Sequence, residues 1–222
     1  ALVLLVGSTL LIRSSVALSE VDPGFDATNV LAVRMSLADQ RFATTADVER
    51  LVENGVRRIE ALPGVEQVGT TCCLPLQGSP SFPFVIAGRP LEASDHGRGF
   101  WTTISPGFFE TFRIPVKRGR AFDARDGSDG PPVAIINEAM ARRFWPDGDP
   151  LNDRLIIGRD GIQELADEPE RQIIGIVGDA RDAGLNADPG PRMYVPSAQI
   201  SDGATVLHSS FSPMAWVVRT TG

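Results

Sequence analysis

The chain contains one lysine, Lys117, among 21 basic residues. A P-loop closes its glycine-rich turn with Gly-Lys-Ser/Thr, so that an ammonium and a backbone cradle meet the phosphates together. Lys117 lies in Pro115-Val116-Lys117-Arg118, which excludes that class of ATPase, and nothing around it supports a pyridoxal Schiff base. Cysteine is nearly absent as well, with Cys72 and Cys73 adjacent and no others. Neighbours in a strand project to opposite faces. The pair is therefore expected to be two small buried strand residues sharing neither a metal nor a relaxed disulfide. The two histidines sit in Ser94-Asp95-His96-Gly97-Arg98 and Leu207-His208-Ser209-Ser210. No His-x-x-x-His or Cys-x-x-Cys spacing accompanies them, so both are expected as solvated loop residues. No Gly-x-Ser-x-Gly elbow exists. Gln77-Gly78-Ser79-Pro80 comes nearest, but its proline stands where a helix must begin. Excess positive charge is also lacking. A net charge of −7 argues against general nucleic-acid binding, which needs a basic footprint.

Long hydrophobic runs are missing too. The one candidate, Ala1–Ile12, meets Arg13 after twelve residues. At ~1.5 Å per residue it spans about 18 Å, against a hydrocarbon core of ~30 Å. It is apolar on all sides, with Ser8 and Thr9 as the interruptions, unlike the one-sided helix of a soluble core. It has no initiator Met or basic n-region, which argues against an intact signal peptide. The expectation is the distal half of a transmembrane helix that emerges at Arg13 and continues through Ser14–Glu20 as a stalk, in a piece of a longer membrane protein. Without lipid, such a helix should project from the body with its apolar side chains exposed.

What is present reads as a folded α/β chain. Hydrophobic residues are 42% and charged residues 22% of 222, ordinary for a globular protein. Its 22 glycines and 17 prolines predict many turns and short strands. Val30–Leu37 alternates as a half-buried strand does. Val48, Leu51, Val52, Val56, Ile59 and Leu62 then fall on one helical face, opposite Asp47, Glu49, Arg50, Glu53, Arg57 and Arg58. Thr44 or Thr45 can cap that helix, and Pro63-Gly64 stops it. Val65–Thr71 follows as a strand, completing a βαβ-type unit. Further strands are expected at Phe84–Ala87, Phe100–Ile104, Val133–Ile136, Leu155–Ile157, Ile173–Val177 and Trp216–Thr220. Asn137 is placed to cap a helix over Glu138–Phe144, which Pro146 ends.

The acidic clusters fail their tests as sites. Asp123, Asp126 and Asp129 step by three, whereas an EF-hand loop needs steps of two and a closing Glu; a solvated turn is expected. Glu164, Asp167, Glu168 and Glu170 predict an exposed loop. Ile176-Val177-Gly178-Asp179 ends a strand as nucleotide sites do, but the Gly-x-Gly-x-x-Gly pattern is absent.

Four segments, in order along the chain, carry a family resemblance. They are Leu2–Asp26; Ile104-Ser105-Pro106-Gly107-Phe108-Phe109-Glu110-Thr111-Phe112 through Arg118-Gly119-Arg120-Ala121-Phe122; Val133–Pro146 with Asp149-Pro150-Leu151; and Ile174-Gly175-Ile176-Val177-Gly178-Asp179 with Gly184-Leu185 and Tyr194-Val195-Pro196. Together they resemble the periplasmic core domain of MacB-like ABC transporter permeases, within the FtsX-like permease family, in its acidobacterial-type branch of duplicated permeases. Asn152-Asp153 departs from the family's Gly followed by a basic residue.

The resemblance implies an α+β fold, a porter-like βαβ subdomain interrupted by an inserted mixed α/β subdomain and preceded by the end of a transmembrane helix. The expected division is 1–20 for membrane helix and stalk, 21–74 for the first part of the porter-like subdomain, 75–212 for the insertion, and 213–222 for a truncated return strand. The implied location is the periplasmic side of a bacterial inner membrane. The implied role is passing conformational change from membrane helices to substrate or partner proteins, without catalysis. Implied partners are the membrane, a separate cytoplasmic ABC ATPase and periplasmic adaptor proteins, with no nucleic acid. No catalytic, cofactor-binding or metal residue carries over, and no cofactor is expected. Pro106, Gly107, Asn137, Trp145 and Pro146 become turn, cap and core residues. The competing class is a membrane-tethered periplasmic hydrolase drawing its acids from Asp123, Glu138 or Asp179, although no glycosidase-like pair stands out.

Overall fold

The computed structural model describes residues 2–89, 97–158 and 162–222. His96 lies outside them. The chain starts in an 18-residue helix, α1 (Leu2–Ser19), which buries little of itself. Leu4 is 78% exposed, and Val6, Leu10, Leu11, Ile12 and Val16 are exposed beside it, as the all-round apolar sequence requires when no lipid is present. Among the described residues no helix is long and apolar enough to cross a membrane.

The first packed unit is built where the periodicity places it. Strand β1 (Val30–Met35) is followed by α2 (Thr45–Glu60) and β2 (Val65–Thr71). Thr44, in an extended conformation, accepts the backbone N–H of Asp47 at 3.2 Å and so caps α2. Val48 and Val52 of α2 are buried, with Leu51, Val56 and Ile59 packed around them. Leu62, expected on this face, falls beyond the helix end and is exposed. Gly55 is a packing residue: a Cβ there would stand 2.1 Å from the ring of Trp216.

A second run of elements follows: β3 (Ser81–Ile86), β4 (Gly97–Ile104), α3 (Phe108–Phe112), β5 (Val116–Gly119), β6 (Val133–Asn137), α4 (Glu138–Phe144), β7 (Arg154–Ile157), β8 (Arg171–Val177), β9 (Arg192–Pro196), α5 (Asp202–Phe211) and β10 (Met214–Thr220). Six of these strands close on themselves in the cyclic order β4-β3-β7-β8-β6-β9. The ring is shut by the parallel β4–β9 pair from Phe100↔Arg192 to Ile104↔Pro196. Closure removes the free edges that an open sheet would present. Phe82, Phe84 and Ile86 alternate inward along β3 and meet Trp101, Ile136, Met140, Leu155 and Ile173 in one core.

The last strand leaves this ring. β10 runs antiparallel to both β1 and β2 and lies between them, with Val218 opposite Leu31 on one side and Val68 on the other. β1 and β2 are therefore parallel to each other, the split form of the βαβ unit. α2 covers one face of the three strands through Met214, Trp216 and Val218, while α3 packs by the other face around Val217. Among the described residues the two regions share one strand-pair contact, Thr71↔Ile104 between β2 and β4.

Four sequence expectations are corrected by the packing. Cys72 and Cys73 lie past the end of β2 rather than in it, and their sulfurs meet instead of diverging. His208 is buried in α5, its ring 4.9 Å from that of Trp101, not solvated. Asp126 is 3% exposed, because Arg120 reaches it with two nitrogens at 2.6 and 2.8 Å. Glu168 is fully buried, paired with Arg171 at 2.6 Å, so the acidic loop is only partly a surface loop. A charge can be buried in this way only when a partner and further hydrogen bonds compensate it.

Candidate functional site

The segment that leaves α1 is the point where the two regions and the helix are tied together. Phe25 stacks edge-on against Phe112, the last residue of α3, at 5.7 Å between ring centres. The Asp26 N–H donates to the carbonyl of Phe112 at 2.8 Å, and the Asp26 carboxylate accepts from Arg113 at 2.9 Å. Arg219 of β10, 3% exposed, fills the space between. It donates to the carbonyls of Thr111 (2.8 Å), Thr28 (2.8 Å) and Asp26 (2.6 Å). One buried guanidinium thus grips β10, α3 and the segment after α1, using the several fixed donors that only Arg offers. The Asp26 carboxyl is held below its ordinary pKa by the N–H of Thr28 and, less strongly, by the charges of Arg219 and Arg113. On the far side, the Arg181 N–H donates to Pro23 at 2.9 Å, tying the same segment to the chain beyond β8.

The join between the regions is built by the Ser105-Pro106-Gly107-Phe108-Phe109 motif. Ser105 donates its N–H to Thr70 (3.0 Å) and accepts the Thr70 N–H on its hydroxyl (2.8 Å). Gly107 has φ +89°, and a Cβ there would stand 2.2 Å from the carbonyl of Val68; only glycine allows both the conformation and the approach. Above this join, α2 faces Pro106, Ala124, Gly127 and Pro196–Ala198 across a cleft of about 420 Å³. The start of α2 is also tied to α5, where the Thr45 N–H donates to Asp202 at 2.7 Å.

The other residues marked by sequence hold the ring. The Asn137 side chain accepts from Met140 (3.0 Å) and Arg192 (2.9 Å) and donates to Gly190 (2.9 Å), so one cap fastens α4 and β9 together. The Trp145 indole N–H donates to Asp153 at 2.7 Å, and Pro146 follows the end of α4. Asn152 takes φ +77°, a left-handed conformation that Asn tolerates better than most side chains.

The three acids of the hydrolase reading do not share one hollow. Asp123 caps a turn and pairs with Arg125, whose side-chain and backbone hydrogen bonds hold its carboxyl well below the ordinary range. It borders the α2 cleft. Glu138 and Asp179 line a different hollow of about 440 Å³, beside Asp26, Arg113 and Lys117. There Glu138 stands 3.9 Å from Lys117, and Asp179 accepts from the N–H of Ala139 (2.8 Å) and from Arg142 (2.7 Å). Each of the three is engaged as a cap or ion-pair partner. Ser79, the nearest approach to a nucleophile, accepts from Arg192 at 2.9 Å. Among the described residues, no group of three or more His, Cys, Asp or Glu is arranged to hold a metal ion. Arg219 was not singled out by sequence, whereas residues 22–26 stood there as the end of the family-like segment Leu2–Asp26. A lone Arg in an otherwise apolar strand was the available signal.

Fold and site together define an α+β module whose two regions are fastened to a single segment below an exposed apolar helix. Residues 2–221 match the family model of the MacB-like periplasmic core domain, and the chain belongs to that family, a domain of ABC transporter permeases. Two solved structures share the fold. The extracellular domain of the noncanonic ABC-type transporter YknZ from Gram-positive bacteria is 19% identical, with 87% of this chain and 84% of that one covered and a TM-score of 0.51. The periplasmic region of MacB from Actinobacillus actinomycetemcomitans is 15% identical, with 89% and 76% covered and a TM-score of 0.52. No curated protein sequence matches the chain. Domains of this family are typically non-catalytic.

Proposed function

We propose that the chain is an extracytoplasmic coupling domain of an ABC-type permease, standing on the periplasmic side of a bacterial inner membrane. In this reading α1 is the outer end of a membrane helix. Residues 21–74 and 213–222 form the porter-like part, and residues 75–212 form the inserted part that is displaced as a body. The domain passes motion to substrate or partner proteins and performs no chemistry itself. The ATP is hydrolysed on a separate cytoplasmic ATPase, and periplasmic adaptors are the partners on the outer side. One observation carries the reading: the segment directly after α1 is bonded to both regions at once, through Arg219 and through Phe112 and Arg113. A tethered enzyme has no need of such a clamp, whereas a part driven by membrane helices does.

The placement is tested on Lys117, the single lysine, whose side chain is 46% exposed. A membrane-impermeant amine reagent added to spheroplasts is expected to modify the peptide carrying Lys117 before lysis. Modification only after lysis would overturn the placement. The coupling is tested by hydrogen exchange on the full permease with its ATPase. Protection across residues 22–29 is expected to change between nucleotide-free and nucleotide-bound states, and constant protection would count against the role.

A further inference from the structure

Cys72 and Cys73 sit where the two regions meet, immediately after the one β2–β4 pairing at Thr71. Both are free thiols, 8% and 7% exposed. The turn that presents them is locked by Thr71, whose hydroxyl accepts the Cys73 N–H (3.1 Å) and donates to the Cys73 carbonyl (3.0 Å). That lock turns both sulfurs to one side, 2.8 Å apart. Cys72 is fixed from behind: its N–H donates to Thr103 (3.1 Å), its sulfur accepts the Thr103 N–H (3.4 Å), and its carbonyl accepts the Ser212 hydroxyl (2.7 Å).

We propose that Cys72 and Cys73 form a peroxide-responsive dithiol at the join of the two regions, with Cys72 attacking and Cys73 resolving. The assignment of roles follows the surroundings. Burial pushes the Cys72 thiol up, but hydrogen bonds from Cys73 and Thr103 and the charge of Arg192 outweigh it and leave it below its ordinary value. Cys73 is pushed up, first by its hydrogen bond to Cys72 and then by burial. The larger cavity lies on the Cys72 side, about 40 Å³ against about 10 Å³ beside Cys73, so a small oxidant reaches the Cys72 sulfur first and Cys73 is left to resolve. Access is limited by size. Cys72 lines a cavity of about 40 Å³ with Thr103, Thr205, His208 and Ser212, enough for a water-sized molecule and too small for a peptide disulfide.

The chemistry balances with hydrogen peroxide as the oxidant. The Cys72 thiolate attacks one oxygen, the O–O bond breaks, and the departing hydroxide takes up a proton to become water, leaving a sulfenic acid. The Cys73 thiol then attacks that sulfur, the S–O bond breaks, and a second water leaves with the Cys73 proton as the S–S bond forms. Two thiols are oxidised by two electrons in all, and one peroxide is reduced to two waters. Adjacent Cα atoms stand ~3.8 Å apart across a trans peptide, below the ~4.4–6.8 Å of ordinary disulfides. The bridge is therefore strained and easily reduced, the property of a reversible site. The Cys72 sulfur that would enter the bridge is the one bonded to the Thr103 N–H of β4, so the bridge forms at the contact between the two regions. The pairing of sulfurs stands on geometry alone; only the supply of oxidant in the cell rests on the extracytoplasmic reading.

A test on the chain purified in detergent and fully reduced separates the two. After hydrogen peroxide, both thiols are expected to vanish in a colorimetric titration. The peptide holding Cys72 and Cys73 should be lighter by two hydrogens, and a dithiol reductant should restore both thiols. Cys73→Ser is expected to stop at a Cys72 sulfenic acid that dimedone traps. Cys72→Ser is expected to react about tenfold more slowly. Circular dichroism checks that each variant folds, and the wild-type peptide map decides alone if one does not. Retention of both thiols, oxidation of both beyond sulfenic acid without a bridge, or equal rates in the two folded variants would overturn the proposal.

Discussion

The closed ring of β3, β4, β6, β7, β8 and β9 and the three strands β1, β10 and β2 obey the same packing rules with different results. In the ring Trp101, Ile136, Met140, Leu155, Ile157 and Ile173 are wholly buried. In the three-stranded unit Val217 is wholly buried, but α2 spans only part of the sheet face. Leu31 and Val33 remain 61% and 60% exposed, opposite Val218 and Trp216 on the face that α2 covers. The ring closes on itself, and its core is completed by Met140 of α4 and Ala204 of α5. An open unit with an apolar edge strand draws its fastening from outside, here from Arg219 and the segment after α1. The difference suits a rigid body carried on a compliant base.

The sharpest way to break the contrast is to hollow out the ring. Phe84→Ala removes a ring held between Phe144 and the ring core and is expected to cost about 3–5 kcal/mol in chemical denaturation. A loss under about 1 kcal/mol would mean that the core repacks and is not the rigid body described. On the other side, Val52→Asp buries a carboxylate beneath α2 and is expected to cost about 3 kcal/mol. Hydrogen exchange should then rise in α2, β1 and β10 while β3 and β8 stay protected. Equal loss of protection in both regions would show one cooperative unit.

A pH titration probes the α5 side of the molecule, where His208 is buried. Burial lowers the His208 pKa to about 4 in the folded chain, against ~6.5 when unfolded. The unfolded state then binds the extra proton between those values, so stability is full above about pH 6.5 and falls as the pH drops toward about 4. The loss reaches about 3 kcal/mol. Thermal melts of His208→Leu should be flatter than wild type across that window, and an unchanged slope would mean another group dominates. The smallest effect is expected from Thr44→Ala, which removes the α2 cap and should cost ~1 kcal/mol, with exchange rising in the first turn of α2 alone.

How far this contrast was legible in the sequence depended on where its causes lie. α2, β2 and α4 were read nearly residue for residue because their signals are local: an i, i+3, i+4 apolar face, the Thr44 and Asn137 caps, and the stops at Pro63-Gly64 and Pro146. The return of the last strand followed from the family resemblance. β9 was missed because Arg192-Met193-Tyr194-Val195-Pro196 is buried on both faces and shows no alternation. α5 was missed because Gly203, Ser209 and Ser210 make it a weak helix by propensity. Ring closure by β4 and β9 joins segments about ninety residues apart, which no local pattern encodes. The clamp was hidden for the same reason: Arg219 looks like any charged strand residue until Thr28, Asp26 and Thr111 aim three carbonyls at it.

The central claim is that motion enters beneath α1 and displaces the ring against the base. Spin labels on Glu60, exposed at the end of α2, and Arg143, exposed on α4 of the ring, report that displacement in the full permease assembled with its ATPase. The distance distribution is expected to shift between nucleotide-free and nucleotide-bound states in the wild type, and the shift to shrink in Arg219→Gln. An identical distribution in every nucleotide state, with the ATPase active, would contradict the coupling role.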